Sequence, residues 1–156
     1  MSKYLEMDIT SIHELLVNKK IKPIDLVEEA LEKIGNNEAR AFITIDYEGA
    51  RKQALELENI EVEKDNLLFG LPIAIKDNIC TKGLRTTCAS HMLDNFDPIY
   101  DATVIQKIKK CHMIIIGKTN MDEFAMGSTG ETSYFKHAVN PWNETKVPGG
   151  SSSGSA

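Results

Sequence analysis

The chain has 156 residues with 23 acidic and 18 basic side chains, and a formal charge of −5 on that scale excludes a basic nucleic-acid arm. A hydrophobic share of 42% with 26% charged residues is ordinary for a globular protein and excludes an acidic disordered tail or a collagen-like repeat. The longest apolar run, Met113–Ile116, falls far short of the roughly 20 residues that span a bilayer, and Glu6 and Asp8 argue against a secretory signal at the N-terminus.

In chain order, Ser11-Ile12-His13-Glu14 reads as a capping box, and Ile12, Leu15 and Leu16 share a face behind it. Pro23 suits the first turn of a second helix, because its missing N–H would be unpaired there anyway. Leu26, Val27, Ala30, Leu31 and Ile34 give that helix its apolar stripe, and Gly35 gives its stop. Ala41–Ile45 is short and β-branched and predicts a strand. Ala50, Ala54 and Leu57 return to helical spacing between Glu48 and Glu58.

After a polar loop (59–66), Leu71-Pro72-Ile73-Ala74-Ile75 reads as a buried strand entered by a proline. The stretch from Thr81 to Ile99 lacks a period and predicts loop. Asp101 then caps a helix with Ala102, Val104, Ile105 and Ile108 inward, and Met113–Ile116 forms the next strand, closed by Gly117. Strand, helix and strand at this spacing predict a crossover unit of an α/β fold. Asn120 reads as the cap of a short helix through Met126, after which Ser, Thr, Gly, Asn and Pro dominate.

Cys80, Cys88 and Cys111 are odd in number and fit no zinc-ligand spacing, so they read as reduced thiols of a cytosolic protein. Two other features carry chemistry. Lys76 stands directly after Ile73-Ala74-Ile75. It is either a strand-end lysine reaching water or a lysine kept neutral by burial so that it can serve as a base. The terminal run Gly149-Gly150-Ser151-Ser152-Ser153-Gly154-Ser155-Ala156 is either a flexible linker or a turn whose backbone approaches a ligand while its hydroxyls point inward. The preceding Asn140-Pro141-Trp142-Asn143 turn, with the chain's single tryptophan, is a poor start for a structureless tail. No Gly-Lys-Ser/Thr ends the run, which excludes a Walker-type phosphate loop.

Together these segments resemble a known family. Gly70-Leu71-Pro72-Ile73-Ala74-Ile75-Lys76-Asp77-Asn78-Ile79 resembles the lysine segment of the amidase signature enzymes, and Gly149-Gly150-Ser151-Ser152 resembles the opening of their Gly/Ser signature. Tyr100-Asp101-Ala102-Thr103, the block from Gly117 to Gly127 and Asn140-Pro141-Trp142 resemble one branch of it, the A subunits of aspartyl/glutamyl-tRNA(Asn/Gln) amidotransferases.

The resemblance implies an α/β fold, a mixed sheet flanked by helices that is incomplete in this chain. Residues 1–156 would be the N-terminal part of a single larger amidase domain, ending inside the Gly/Ser signature loop. The family hydrolyses amides with a Ser–cis-Ser–Lys triad. By motif position Lys76 is the base, Ser151 is the relay serine that follows a cis peptide bond, and Gly149, Gly150 and Ser152 bind substrate. The family's nucleophile lies in a Thr-Asp-x-Gly-Gly-Ser type segment whose N–H groups form the oxyanion hole, and no such segment occurs in this sequence. Ser153 stands where the family pattern has glycine, and if that glycine serves a positive φ, a serine strains the loop.

By the same resemblance, the full-length counterpart releases ammonia from glutamine for transamidation of Glu-tRNA(Gln) in an ATP-dependent complex with B and C subunits. The B subunit carries the tRNA and uses ATP and Mg; this chain needs no metal or cofactor of its own and no membrane. The setting implied is the cytoplasm, or an organelle matrix. Two other readings are an inactive fragment and another signature amidase acting on small amides, and the block from Gly117 to Gly127 with Asn140-Pro141-Trp142 favours the tRNA-linked branch over the latter. The 156-residue chain alone is expected to release no ammonia from glutamine. A glutaminase assay checks this, and release that disappears in Lys76→Ala would overturn it.

Overall fold

The structure, a computed structural model, describes residues 3–35 and 38–156. The chain divides into two compact units, one formed by Met1–Asn36, Asp46–Ile73 and Gln106–Ile116, the other by Asn37–Ile45, Ala74–Ile105 and Gly117–Ala156.

Three helices fall entirely within the first unit, α1 (Ile9–Val17), α2 (Pro23–Gly35) and α3 (Tyr47–Leu57). Pro23 opens α2 and Gly35 is its last residue, as the sequence predicts. The cap of α1 is not Ser11. Asp8 takes that place, its carboxylate accepting the Ser11 N–H at 2.9 Å and the Ser11 hydroxyl at 2.6 Å. An acceptor-only carboxylate three residues upstream thus engages the serine that would otherwise cap, and the helix begins earlier. Asp46 caps α3 in the same way, through the Gly49 N–H at 3.0 Å.

Leu26, Val27 and Ala30 of α2 and Ala50 and Ala54 of α3 are buried where these helices pack, small alanines allowing close approach. Ile12 and Leu16 of α1 join Ile21, Leu26 and Leu71 in an apolar cluster.

Three strands form one mixed sheet in the order β1 (Phe42–Ile45), β3 (Ile114–Thr119), β2 (Pro72–Lys76). β1 runs antiparallel to β3, pairing Thr44 with Lys118 and Ile45 with Gly117, with an irregularity between Phe42 and Thr44. Ile114 N donates to Leu71 O at 2.9 Å and Asp77 N to Thr119 O at 3.2 Å. Residue numbers rise together along both strands, so β2 and β3 are parallel. The helix between them is α4 (Thr103–Lys110).

Four expectations change in this region. β3 does not close at Gly117 but continues to Thr119, buried along its whole length. The glycine is there for close approach: a Cβ on it would lie 2.4 Å from the Thr44 carbonyl oxygen of β1. β2 is less buried than its composition suggests, with only Ile75 fully enclosed. In α4 only Ile105 is buried, while Val104 is exposed. No α-helix follows Asn120; a single 3-10 turn spans Glu123–Ala125, with Phe124 at φ 50°. Instead of capping a helix, Asn120 ties segments together, its amide donating to Arg40 O at 3.1 Å and to Lys136 O at 2.6 Å.

The three cysteines are free thiols. Among the described residues no helix is long and apolar enough to cross a membrane. Gly117→Ala is expected to cost on the order of 1–3 kcal/mol by forcing β1 away from β3. Faster amide hydrogen exchange at Thr44 and Lys118, with unchanged exchange in α2, is the measurement that checks it.

Candidate functional site

Both residues singled out for chemistry lie in the second unit, and the structure brings them together. Lys76 ends β2, and its Nζ donates to Ser151 Oγ at 2.7 Å across 75 positions of sequence. Both residues are half-buried. The Gly150–Ser151 peptide bond is cis.

The Gly/Ser run is a docked loop and not a linker. Ser151 O accepts the Asp122 N–H at 3.0 Å, and Gly154 N donates to Asn120 O at 2.9 Å. Thr119 Oγ1 and Ser155 Oγ are 3.0 Å apart. Glycine is required sterically at two positions. A Cβ on Gly154 would stand 2.1 Å from Ala41 O, and one on Gly150 would stand 2.1 Å from Asp122 Oδ2. Gly149 differs: its surroundings are open, and its φ of +105° is what favours glycine. Ser152 contributes its carbonyl, which accepts the N–H groups of Ser155 and Ala156.

Ser153 lies outside the positive-φ region, so the anticipated backbone strain does not arise. Its side chain is buried, and a Cβ on Gly130 would fall 2.4 Å from Ser153 Cβ. Serine is accommodated because residue 130 has no side chain. Its Oγ has no hydrogen-bond partner among the described residues.

Two groups that sequence reasoning passed over flank this pair. The first is Lys118 with Asp77, both with no exposed side-chain surface. Lys118 Nζ donates to Ile79 O and to Thr86 Oγ1, each at 2.7 Å, and lies 3.8 Å from Asp77 Oδ1. Asp77 Oδ2 accepts the Thr87 N–H at 3.0 Å and the Thr87 hydroxyl. Asp77 also accepts the Cys88 N–H at its carbonyl, 3.0 Å away. Burial pushes the Lys118 ammonium down to about 8 from 10.5, against the opposing pull of Asp77. The sequence signal for this pair was a lysine inside β3, hidden by ending that strand at Gly117.

The second group is Asp122, also fully buried. Its two carboxylate oxygens each accept the Gly130 N–H at 3.0 Å, and Oδ1 accepts the Thr132 hydroxyl at 3.0 Å. Burial alone would raise this carboxyl, but the donors from Gly130 and Thr132 outweigh it and hold it below the ordinary aspartate range. Among the described residues no group of three or more His, Cys, Asp or Glu is placed to hold a metal ion.

A family model described as Amidase matches residues 25–156. The chain is 56% identical to the A subunit of the Oenococcus oeni glutamyl-tRNA(Gln) amidotransferase, covering all of this chain and 32% of that protein. It is 58% identical to the A subunit of the same enzyme from Bacillus cereus, over 95% of this chain and 31% of that one. Among solved structures, the A subunit of the Thermotoga maritima glutamyl-tRNA(Gln) amidotransferase superposes with a TM-score of 0.72 at 40% identity, covering 98% of this chain and 32% of that one. The peptide amidase of Stenotrophomonas maltophilia superposes at 0.88 with 26% identity, over 99% of this chain and 34% of that one. The chain therefore spans about a third of the length of the relatives it matches.

The folded protein releases the Lys118 proton near pH 8, whereas the unfolded chain holds it to about 10.5. The unfolded state binds more protons between those values, so this lysine's contribution to stability rises with pH across that window and is lost as pH falls through 8. The difference in unfolding free energy between the protein and Lys118→Met is expected to climb by up to about 1.4 kcal/mol per pH unit there and to be flat below it. Urea titrations at stepped pH check the slope.

Proposed function

The chain belongs to the Amidase family, and from that premise we propose that it supplies the lysine and relay serine of the A subunit of a glutamine-hydrolysing amidotransferase. Residues 1–156 are then the N-terminal part of one larger amidase domain, with the nucleophilic serine and its oxyanion donors contributed from outside these residues. The observation that carries the reading is the 2.7 Å contact between Lys76 Nζ and Ser151 Oγ. At that separation a proton moves between amine and hydroxyl without rearrangement.

The sequence of events is a two-step relay. Lys76 takes the Ser151 hydroxyl proton as Ser151 takes the proton of the attacking serine. The attacking oxygen bonds to the amide carbon of glutamine. Return of the protons through the same pair to the departing nitrogen releases ammonia and leaves an acyl-serine, which water then hydrolyses by the same path. Gly149, Gly150 and Ser152 are the substrate-binding residues of this reading, Gly149 standing in open surroundings.

The choice among amidases rests on identity rather than fold. The peptide amidase superposes well at 26% identity, while the tRNA-linked relatives reach 56% and 58%. Released ammonia passes to a partner, the B subunit, which holds the misacylated tRNA and uses ATP with Mg, and the C subunit completes the complex. The setting is cytoplasmic.

Joining residues 1–156 to the remaining two thirds of the Oenococcus oeni relative, assembled with that organism's partner subunits, gives the test. The joined protein is expected to release ammonia from glutamine and to support transamidation of Glu-tRNA(Gln). Lys76→Ala and Ser151→Ala are each expected to lower the rate by roughly 100-fold or more while leaving assembly intact. Undiminished ammonia release in Lys76→Ala overturns the reading.

A further inference from the structure

We infer that Asp122 is a positioning residue that fixes the relay serine, by occupying the space left by Gly150 and strapping the 127–132 segment against it. The inference rests on the Lys76–Ser151 relay proposed above. Three independent contacts carry it.

First, the Asp122 backbone N–H donates to Ser151 O at 3.0 Å, so residue 122 holds the relay serine's own peptide directly. Second, its carboxylate fills the position that a side chain at residue 150 would take. The Cβ of a substituted Gly150 would lie 2.1 Å from Asp122 Oδ2, and that of a substituted Gly127 2.6 Å from Oδ1. Two glycines on different segments thus make room for one carboxylate. Third, that carboxylate accepts the Gly130 N–H at both oxygens, 3.0 Å each, and the Thr132 hydroxyl at 3.0 Å. Gly130 in turn faces Ser153 and lies 3.3 Å from Gly149 O at its Cβ position, so the strapped segment backs the loop on either side of Ser151.

The chemistry of the contacts selects the residue. Every group aimed at the two oxygens is a donor, which suits an ionised carboxylate and frustrates an amide, whose NH2 would face the Gly130 N–H. A glutamate carries one methylene more than the space beside Gly127 and Gly150 admits. Asp122 makes no hydrogen bond with Lys76, so the reacting group that it holds directly is Ser151.

Placement of this kind has a signature that loss of folding lacks. Misplacing a reacting group by about 1 Å costs on the order of 100-fold in rate. In the joined protein, Asp122→Ala is expected to lower kcat by about that factor with KM changed less than about threefold, and Asp122→Asn to recover only part of the loss. Combined with Ser151→Ala, Asp122→Ala is expected to add nothing, because the group it positions is already gone.

Equal kcat in Asp122→Ala and the unsubstituted protein overturns the inference, and so does an additive double variant. Full activity in Ser151→Ala instead overturns the relay reading, a distinct result. Where Asp122→Ala does not assemble, the Asp122→Asn and Asp122→Asn/Ser151→Ala pair supplies the same comparison. A joined protein inactive before any substitution counts against the relay reading. The inference is then read on the 156-residue chain by NMR: Asp122→Ala is expected to abolish the signal of the Lys76 Nζ hydrogen-bonded to Ser151 and spare that of Lys118. Retention of both overturns it.

Discussion

A single hydrogen bond between Lys76 and Ser151 sets the demands on the second unit. Its partners are 75 residues apart and belong to segments of different character, the end of a strand and a glycine-rich loop. Neither segment holds its own geometry. A strand end frays, and a loop with three glycines in six residues has more conformational freedom to lose than almost any other sequence. A fixed 2.7 Å contact therefore needs an external anchor on each side.

Buried charge supplies both anchors. On the lysine side the anchor is the next residue. Successive side chains of extended backbone point in opposite directions, so Asp77 turns inward while Lys76 turns towards Ser151. Asp77 is locked by Thr87, Cys88 and Lys118, and its N–H continues the pairing with β3 at Thr119. On the serine side Asp122 holds the peptide of Ser151 and the segment behind Gly150. An ion pair taken out of water gains little net stability, because desolvation offsets attraction. Lys118 carries that cost, since burial pushes its ammonium down to about 8 despite the neighbouring carboxylate. Such groups are better understood as fixing one arrangement. An apolar pair of equal volume would fill the space but would not dictate which way Lys76 faces.

The helices were legible because their determinants are local. Pro23, Gly35 and the alanine spacing of α3 act within a turn or two, and the structure has α2 and α3 where the spacing puts them. What escaped depends on distant partners. Gly117 looks like a strand terminator until β1 is placed beside it, 2.4 Å from where its Cβ would be. Once the strand is ended there, Lys118 becomes an apparent surface lysine and the helix after Asn120 becomes plausible. One misplaced boundary hid the ion pair and the Asp122 strap together. Ser11 shows the same effect at short range, since a capping box is a contest among acceptors and Asp8 has the stronger one. The pair proposed as the relay fared better. Lys76 and Ser151, and with them their contact, were readable only through the resemblance, since no periodicity links a strand end to a loop 75 positions later.

Ser153 carries this dependence on partners furthest. Considered alone, a serine in place of a glycine threatens the loop through its φ. The structure moves the issue to residue 130, across the loop, where an absent side chain makes room for the serine's Cβ. The remaining cost is its hydroxyl, buried and without a partner among the described residues. An unpaired group of that kind costs about 1–3 kcal/mol, comparable to the net worth of one or two of the hydrogen bonds that dock the loop. The loop retains its place because Gly154, Ser155 and Ser151 are each bonded to the end of β3 or to residues just beyond it. Tolerance at 153 is therefore a property of Gly130 and of these docking bonds together. A bulkier residue at either 130 or 153 would press on the same small space beside the strap that holds Ser151.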